Sequence, residues 1–196
     1  MSLVKTLQLL TLCQQGDTLA IERLVSEYQP AVYRLAYSIL EDAPEAEEVA
    51  QDVFVAALKA LGSYRGDASL TTWLYAITVN VCRDRLHARR TRARLAQALQ
   101  TLAHIGKRHS ASPEDETIRS EGEAAVRQAV NALGEKHRLP VILRYYHGCS
   151  VAEIARILRI NEGTVCSRLS TARDQLRVRL RPRKERSAGA GEELWP

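Results

Sequence analysis

The chain has 196 residues, a formal net charge of +5 and an apolar content of 45%, which suffices for one or two packed domains. Aromatic residues make up only 5%, while Ala, Leu, Arg and Glu dominate, so we expect an almost entirely helical protein. Because no stretch is apolar for long enough to cross a bilayer, we expect a cytoplasmic protein without direct membrane insertion.

Charge is unevenly distributed along the chain. Residues 1–80 contain ten acidic and five basic side chains, whereas residues 81–94 contain six arginines and one aspartate. Residues 121–180 are basic again. This pattern indicates contact with a polyanion at two separate places.

The candidate chemical groups indicate no catalysis. No His/Asp/Ser set or carboxylate pair is placed for a reaction, so we expect neither a catalytic site nor a cofactor. The four cysteines are far apart and match no metal-ligand spacing, which predicts reduced thiols and no metal site: Cys13, Cys82, Cys149 and Cys166.

The first predicted helix contains the apolar run from Leu7 to Leu12. Gly16 and Asp17 then interrupt the pattern, and Asp17 is placed to cap a second helix that extends to Leu40. Pro30 removes a backbone donor inside this helix, so we expect a kink or a short break there.

The third predicted helix begins at Asp42-Ala43-Pro44-Glu45, where an aspartate cap precedes a proline in the first turn, and it extends to about Leu61. Helical spacing places Glu45, Glu48, Gln51, Asp52 and Val55 on one face. These residues alone also fit a solvated acidic face stabilised by the helix dipole.

The order of residues 46–54, Ala-Glu-Glu-Val-x-Gln-Asp-x-Phe, resembles region 2.2 of bacterial sigma factors. In that family this helix binds a basic coiled coil on the clamp of the largest subunit of RNA polymerase. The resemblance therefore implies a polymerase-binding role for Glu48, Gln51, Asp52 and Val55. An acidic face docking on a basic partner is electrostatically complementary.

Residues 62–69 predict a loop, because two glycines and small polar residues follow one another. Ser69 is placed to cap the next helix, on which we expect an inward-facing set: Trp73, Leu74, Ile77, Val81 and Leu86. Six arginines follow on the same helix, and we interpret them as contacts to phosphates, with a solvated helix end as the alternative: Arg83, Arg85, Arg89, Arg90, Arg92 and Arg94.

The run from Ser63 to Asn80 is similar to the promoter-opening loop and helix of extracytoplasmic-function (ECF) sigma factors. In that family the loop and the matching Asn hold a base flipped out of the non-template strand. The resemblance therefore implies that the loop and Asn80 contact the −10 element: Ser63, Tyr64, Arg65, Gly66, Asp67, Ala68, Ser69 and Asn80. The charge run adds the phosphate contacts expected beside them: Arg83, Arg85, Arg89 and Arg90.

Residues 104–116 have the composition of a linker, and His104 and His109 have no ligand partners at metal spacing. A helical pattern resumes at Ile118 and leads through residues 133–146 into two further helices. Residues 181–196 read as a disordered tail.

Residues 148–177 predict a helix-turn-helix. The first helix follows Ser150, the turn is at Arg159-Ile160-Asn161, and the second helix begins near Glu162. We expect Val165, Leu169, Ala172 and Leu176 to face inward. A pair of core-packing helices is the alternative.

Glu153-Ile154-Ala155, Gly163-Thr164-Val165 and Ser167-Arg168-Leu169 resemble region 4 of sigma factors, whose second helix enters the major groove. The resemblance implies contacts to the −35 element by residues near the start of that helix: Glu162, Gly163, Thr164, Ser167, Arg168, Thr171 and Arg173. Cys166 and Thr171 depart from the basic or larger residues that many relatives have there.

The two motif sets stand in the family's order, so the chain is identified as resembling an ECF sigma factor. The implied fold is all-α, with region 2 in residues 1–95, a flexible linker in residues 96–120, and region 4 with its helix-turn-helix in residues 121–180. The implied partners are promoter DNA, an anti-sigma factor, and core RNA polymerase through the clamp of its largest subunit and the flap of the second-largest.

Two alternatives remain open. A helix-turn-helix regulator with an N-terminal sensing domain would bind DNA without polymerase. An enzyme is the other class.

Overall fold

The structure is a computed structural model that describes residues 3–103 and 121–180. Within these ranges every regular element is helical, which confirms the all-α prediction. The predicted linker core with His104 and His109, and the predicted tail at 181–196, lie outside the described residues. Packing divides the chain into two compact units, the first of which includes residues 152–160 in addition to the N-terminal helices.

The N-terminal part of the first unit contains four helices in chain order: α1 (Leu3–Gln14), α2 (Thr18–Leu40), α3 (Ala43–Ala60) and α4 (Leu70–Ala103). A short 3-10 turn, Leu61–Ser63, follows α3. The predicted caps are confirmed, because the carboxylate of Asp17 accepts a hydrogen bond from the amide of Ala20, and that of Asp42 accepts one from the amide of Glu45, both at 2.9 Å. α4 continues beyond residue 95, where we had expected the first domain to end.

Of the kink or short break expected at Pro30, the break is absent, because α2 runs without interruption through this residue. A proline within a helix removes one backbone hydrogen bond, at a cost of about 3 kcal/mol. On either side of Pro30, Leu24 and Val32 are each 1% exposed. Their burial ties both halves of α2 to the core and offsets this local cost.

The core of the first unit forms where α2, α3 and α4 pack on one another. The largest fully buried side chains on these three helices are the following: Leu24, Val32, Leu35, Ile39, Val49, Val53, Leu74 and Val79. The inward set predicted for α4 is partly wrong, because Trp73, Ile77, Val81 and Leu86 are only half-buried. Instead the buried stripe includes Thr78, whose hydroxyl donates to the carbonyl of Leu74 at 2.8 Å and is thereby satisfied within the core.

The second unit begins with α5 (Glu121–Asn131) and α6 (Glu135–Val141). We had expected one helix over residues 133–146, but α6 passes into a π-helical segment at Ile142–Tyr146. Pro140, which donates no amide hydrogen, precedes this wider turn by two residues. The amide of Cys149 donates to the carbonyl of Leu143 at 2.9 Å and closes the segment.

The two helices of the predicted helix-turn-helix are α7 (Val151–Leu158) and α8 (Glu162–Leu180). Arg159 separates them with a left-handed backbone, at φ 53°, a conformation that glycine adopts more readily. On α8, Val165, Leu169 and Ala172 are buried as expected, whereas Leu176 is half-buried.

Candidate nucleic-acid interface

An acidic face of α3 remains exposed, as the sequence predicted. Glu48, Gln51, Asp52 and Val55 are all exposed, and Glu45 on the same face is half-buried. Val55 is 52% exposed, so the face has one apolar side chain among polar ones. This combination of acceptors with an apolar contact suits a basic, partly apolar partner surface.

The acidic face is bridged to α4 by an arginine that we had predicted to bind DNA. One terminal nitrogen of Arg85, Nη1, lies 3.0 Å from Oε2 of Glu48, and Nη2 lies 2.6 Å from Oδ2 of Asp52. The hydrogen bonds to Asp52 and then Glu48 raise the pKa of Arg85 further above its ordinary value. The guanidinium fork therefore spans two carboxylates that lie one helical turn apart on α3.

A second arginine one turn further along α4 pairs with the start of α3. Nη2 of Arg89 lies 3.1 Å from Oδ2 of Asp42 and also forms an ion pair with Glu45. Asp42 thus acts twice, because its other oxygen caps α3. The sequence predicts Asp42 as a cap and Glu45 on the acidic face, but it does not indicate that both carboxylates pair with Arg89. The sequence signal for this pairing was that arginines on α4 and carboxylates on α3 both recur about once per helical turn.

The arginines of α4 occupy two opposite faces of the helix. At about 100° per residue, Arg85, Arg89 and Arg92 project to one side. On the opposite side, Asn80 shares a face with three arginines: Arg83, Arg90 and Arg94. Asn80, Arg90 and Arg94 are exposed. Only this second face presents cations in line with the residue predicted to hold a flipped base.

The loop before α4 is closed by its own hydrogen bonds. The hydroxyl of Tyr64 donates to the carbonyl of Ala68 at 2.8 Å, and the hydroxyl of Ser69 accepts from the amide of Thr72 at 3.1 Å. Gly66 has φ 79°, a left-handed conformation that favours glycine. Arg65, at the tip, is exposed.

An aromatic pair forms the base of this loop. The rings of Tyr64 and Trp73 meet edge to face, with centroids 5.5 Å apart. Trp73, which we had assigned to the core, is half-buried and forms part of the wall of a pocket together with the loop and Ala76. Asn80 lies one helical turn beyond Ala76 on the same side of α4, without lining the pocket.

The residues predicted to contact the −35 element occupy the first three turns of α8. Glu162, Gly163, Ser167, Thr171 and Arg173 are exposed, whereas Thr164 and Arg168 are half-buried. Gly163, Ser167 and Thr171 project away from the buried stripe of Val165, Leu169 and Ala172, while Arg168 and Arg173 lie on the two flanks. The hydroxyl of Ser167 donates to the carbonyl of Thr164 at 3.0 Å.

The described cysteines, possible metal ligands and apolar helices do not meet the requirements of a disulfide, a metal site or a membrane span. Cys166 on α8 is exposed, whereas Cys13, Cys82 and Cys149 are buried, and none of these four described cysteines forms a disulfide. In the parts of the chain that the structure describes, no group of three or more His, Cys, Asp or Glu residues is placed to hold a metal ion. Among the described helices, none combines the length and apolarity that a membrane crossing requires.

Known protein families match the two parts of the chain that contain these residues. Residues 24–92 match Sigma-70 region 2, and residues 123–176 match Sigma-70 region 4. The first match contains α3, the loop and most of α4. The second contains the predicted −35 residues of α8.

Relatives align over most of the chain. The RNA polymerase sigma-H factor of Pseudomonas aeruginosa is 36% identical over 180 residues, covering 89% of this chain and 93% of its own. The ECF RNA polymerase sigma factor SigW of Bacillus subtilis is 30% identical over 174 residues, covering 86% and 92% respectively.

Two solved structures share the fold. CnrH, solved in complex with the cytosolic domain of CnrY, has a TM-score of 0.60 at 24% identity, covering 87% of this chain and 93% of its own. The sigma factor RpoE of Bartonella quintana, solved with the anti-sigma factor NepR, has a TM-score of 0.57 at 23% identity, covering 83% and 97%. The chain therefore belongs to the ECF family of RNA polymerase sigma factors, which are transcription initiation factors.

Proposed function

We propose that this sigma factor binds core RNA polymerase through the acidic face of α3 and recognises two promoter elements, the −35 element through α8 and the −10 element through the loop at 62–69 and α4. The observation that carries the proposal is the division of α4 into two faces. On one face, Arg85 and Arg89 bind the carboxylates of α3. The opposite face presents Asn80 together with the other arginines: Arg83, Arg90 and Arg94.

The polymerase contact rests on the exposure of Glu48, Gln51, Asp52 and Val55 on one face of α3. The clamp of the largest subunit is the proposed partner because a basic coiled coil complements these carboxylates. We expect the double variant Glu48→Lys/Asp52→Lys to abolish co-purification with core polymerase.

A matched control separates the site from net charge. Glu22→Lys/Glu27→Lys, on the exposed surface of α2, changes the net charge by the same amount and should retain polymerase. Equal loss in both double variants would indicate a general charge effect and would count against this docking face.

Promoter opening rests on the loop pocket. An unpaired base needs a stacking surface and polar partners, since extruding it from a duplex costs a few kcal/mol. Tyr64 and Trp73 provide aromatic surface, and the loop provides polar groups beside it. Asn80→Ala should slow promoter opening by the assembled enzyme while leaving polymerase binding unchanged. An unchanged opening rate would remove Asn80 from this role.

Recognition of the −35 element rests on the polar face at the start of α8. If Arg168 contacts a base edge, Arg168→Ala should cost about 1–3 kcal/mol on the cognate site and less on mismatched sites. An equal loss on all sequences would reassign Arg168 to a phosphate.

Two partner contacts are proposed on family grounds. The second unit is the proposed binding site for the flap of the second-largest subunit. An anti-sigma factor is the proposed inhibitor, by analogy with the complexes of CnrH and RpoE. Addition of the purified cognate inhibitor should block co-purification with core polymerase, and simultaneous binding of both would contradict this competition.

A further inference from the structure

We propose that Arg85 and Arg89 are positioning residues of the polymerase-binding face of α3, and that the promoter phosphates are contacted from the opposite side of α4. This inference rests on the proposed function of that face. It reassigns two arginines that the sequence grouped with the DNA contacts.

The buried stripe of α4 leads directly to these two arginines. Thr78 and Cys82 are both fully buried, and Arg85 and Arg89 follow them on the same side of the helix. The arginines therefore stand at the outer end of the interface between α3 and α4. Their side chains are 35% and 39% exposed, less than the carboxylates of Glu48 and Asp52, at 65% and 52%.

A phosphate that approached this side of α4 would meet the acidic cluster. Both terminal nitrogens of Arg85 already bind carboxylates, and Arg89 binds two more. The four carboxylates outnumber the two guanidiniums, and the remaining net negative charge disfavours the approach of a polyanion. The face of Asn80, Arg83, Arg90 and Arg94 projects away from this cluster.

The guanidinium of Arg85 orders the docking face. Glu48 and Asp52 lie four residues apart on α3, where two negative charges repel each other. The fork of Arg85 relieves this repulsion and fixes one oxygen of each carboxylate. Ordered side chains lose less conformational entropy on binding a partner.

The same guanidinium also repels an incoming cation. Physiological salt weakens that repulsion while the partner is more than about 8 Å away, whereas the bonds that order Glu48 and Asp52, at 3.0 and 2.6 Å, are much shorter than this distance. We therefore expect Arg85 to strengthen polymerase binding.

Arg89 acts at the start of the same helix. It binds the free oxygen of Asp42 while the other oxygen caps α3 through the amide of Glu45. This arrangement holds the cap in its bonding orientation and fixes where α3 begins. The two arginines thus anchor successive turns of α3, at Asp42 and Glu45 and then at Glu48 and Asp52.

The test measures binding of labelled sigma variants to purified core polymerase by fluorescence anisotropy. Arg85→Gln should weaken binding roughly three- to tenfold, the range set by ordering one or two side chains. The polymerase affinity of Arg85→Lys should lie between those of Arg85→Gln and the unmodified chain, because a lysine is a point charge without a fork. Arg94→Gln, on the opposite face, should bind polymerase as the unmodified chain does.

A double-mutant cycle ties the effect to the carboxylates. In the Glu48→Gln/Asp52→Gln background, Arg85→Gln should cause no further loss. A loss that persists in this background would overturn the positioning role. If Glu48→Gln/Asp52→Gln alone leaves polymerase affinity unchanged, the proposed docking face itself is wrong. Thermal unfolding of each variant checks that the helices still fold.

The salt dependence of promoter binding by the assembled enzyme distinguishes the two faces. Arg94→Gln should reduce the slope of log K against log salt by about 1, because one phosphate contact is lost. Arg85→Gln should leave the slope unchanged. If Arg85→Gln reduces the slope by about 1 with normal polymerase affinity, Arg85 is a phosphate contact and the inference fails.

Discussion

The hydroxyl of Tyr64 donates a hydrogen bond to the carbonyl of Ala68 at 2.8 Å and so joins the two ends of the loop before α4. The ring of Tyr64 simultaneously meets Trp73 edge to face. One side chain therefore closes the loop and connects it to the helix that carries Asn80. Burial raises the pKa of Tyr64 above its ordinary value, so the hydroxyl remains a donor at neutral and mildly alkaline pH.

We expect Tyr64→Phe to slow promoter opening by the assembled enzyme. The variant keeps the ring against Trp73 but loses the bond to Ala68, a net cost of about 1 kcal/mol that loosens the loop. Stopped-flow measurement of promoter opening should report a several-fold slower rate, while affinity for core polymerase is unchanged. An opening rate equal to that of the unmodified chain would indicate that loop closure is unimportant.

Asp42 offers a separate test of the start of α3. Asp42→Ala removes both the cap to Glu45 and the ion pair with Arg89, and should lower the free energy of unfolding by about 1–2 kcal/mol. Asp42→Asn retains a capping oxygen and loses only the charge. Because exposed ion pairs contribute about 0–1 kcal/mol, this variant should lose much less.

Urea denaturation of both variants measures the difference. If Asp42→Asn destabilises the protein as much as Asp42→Ala, the ion pair with Arg89 dominates and the cap contributes little.

Local signals in the sequence were sufficient to predict the helix starts. Asp17 and Asp42 cap α2 and α3 as expected, because capping depends on neighbouring residues only. The unbroken α2 could not be predicted in this way. Whether a helix tolerates Pro30 depends on burial of Leu24 and Val32 against other helices, which is tertiary information.

The sequence predicted which residues of the candidate site are exposed, but it did not predict the ion pairs between α3 and α4. The exposed face of α3 and the outward residues of α8 follow from helical spacing. The sequence could not indicate that Arg85 and Arg89 bind α3, since this requires the register between two packed helices. Trp73 was misassigned to the core because an aromatic at helical spacing most often packs there.

Two glycines allow opposite predictions for the same substitution. Gly163 lies in the first turn of α8, and a Cβ added there would meet no atom within 4 Å. Gly163→Ala should therefore stabilise the protein by up to about 1 kcal/mol through helix propensity. Gly148 also has open space, but its φ of 67° is left-handed, so Gly148→Ala should cost about 1 kcal/mol or more.

Thermal unfolding should therefore move the midpoint up for Gly163→Ala and down for Gly148→Ala. A fall for both would mean that the backbone of α8 at Gly163 is strained. Because Gly163 belongs to the proposed −35 face, weaker promoter binding by the stabilised variant would place DNA close to its backbone.

The thiol of Cys82 should make the first unit less stable as the pH rises into the alkaline range. Burial, and secondarily the nearby carboxylate of Glu45, raises the pKa of this thiol to about 12. The thiol pKa in the unfolded chain is about 8.5. Since the folded pKa is the higher of the two, this contribution to stability is complete below about pH 8.5 and is lost as the pH rises towards about 12.

At pH 10 the predicted loss is about 2 kcal/mol, because each unit above the unfolded pKa costs about 1.4 kcal/mol. Urea denaturation under reducing conditions at pH 7.5 and pH 10 measures it. Other groups that titrate at alkaline pH, such as Tyr28 and Tyr64, are present in every variant, so the comparison is with Cys82→Ala. The free energy of unfolding of Cys82→Ala should fall less between pH 7.5 and pH 10. Cys166→Ala, which removes an exposed thiol, should retain the full decline. Parallel pH profiles for Cys82→Ala and the unmodified chain would mean that Cys82 ionises without opposing the fold.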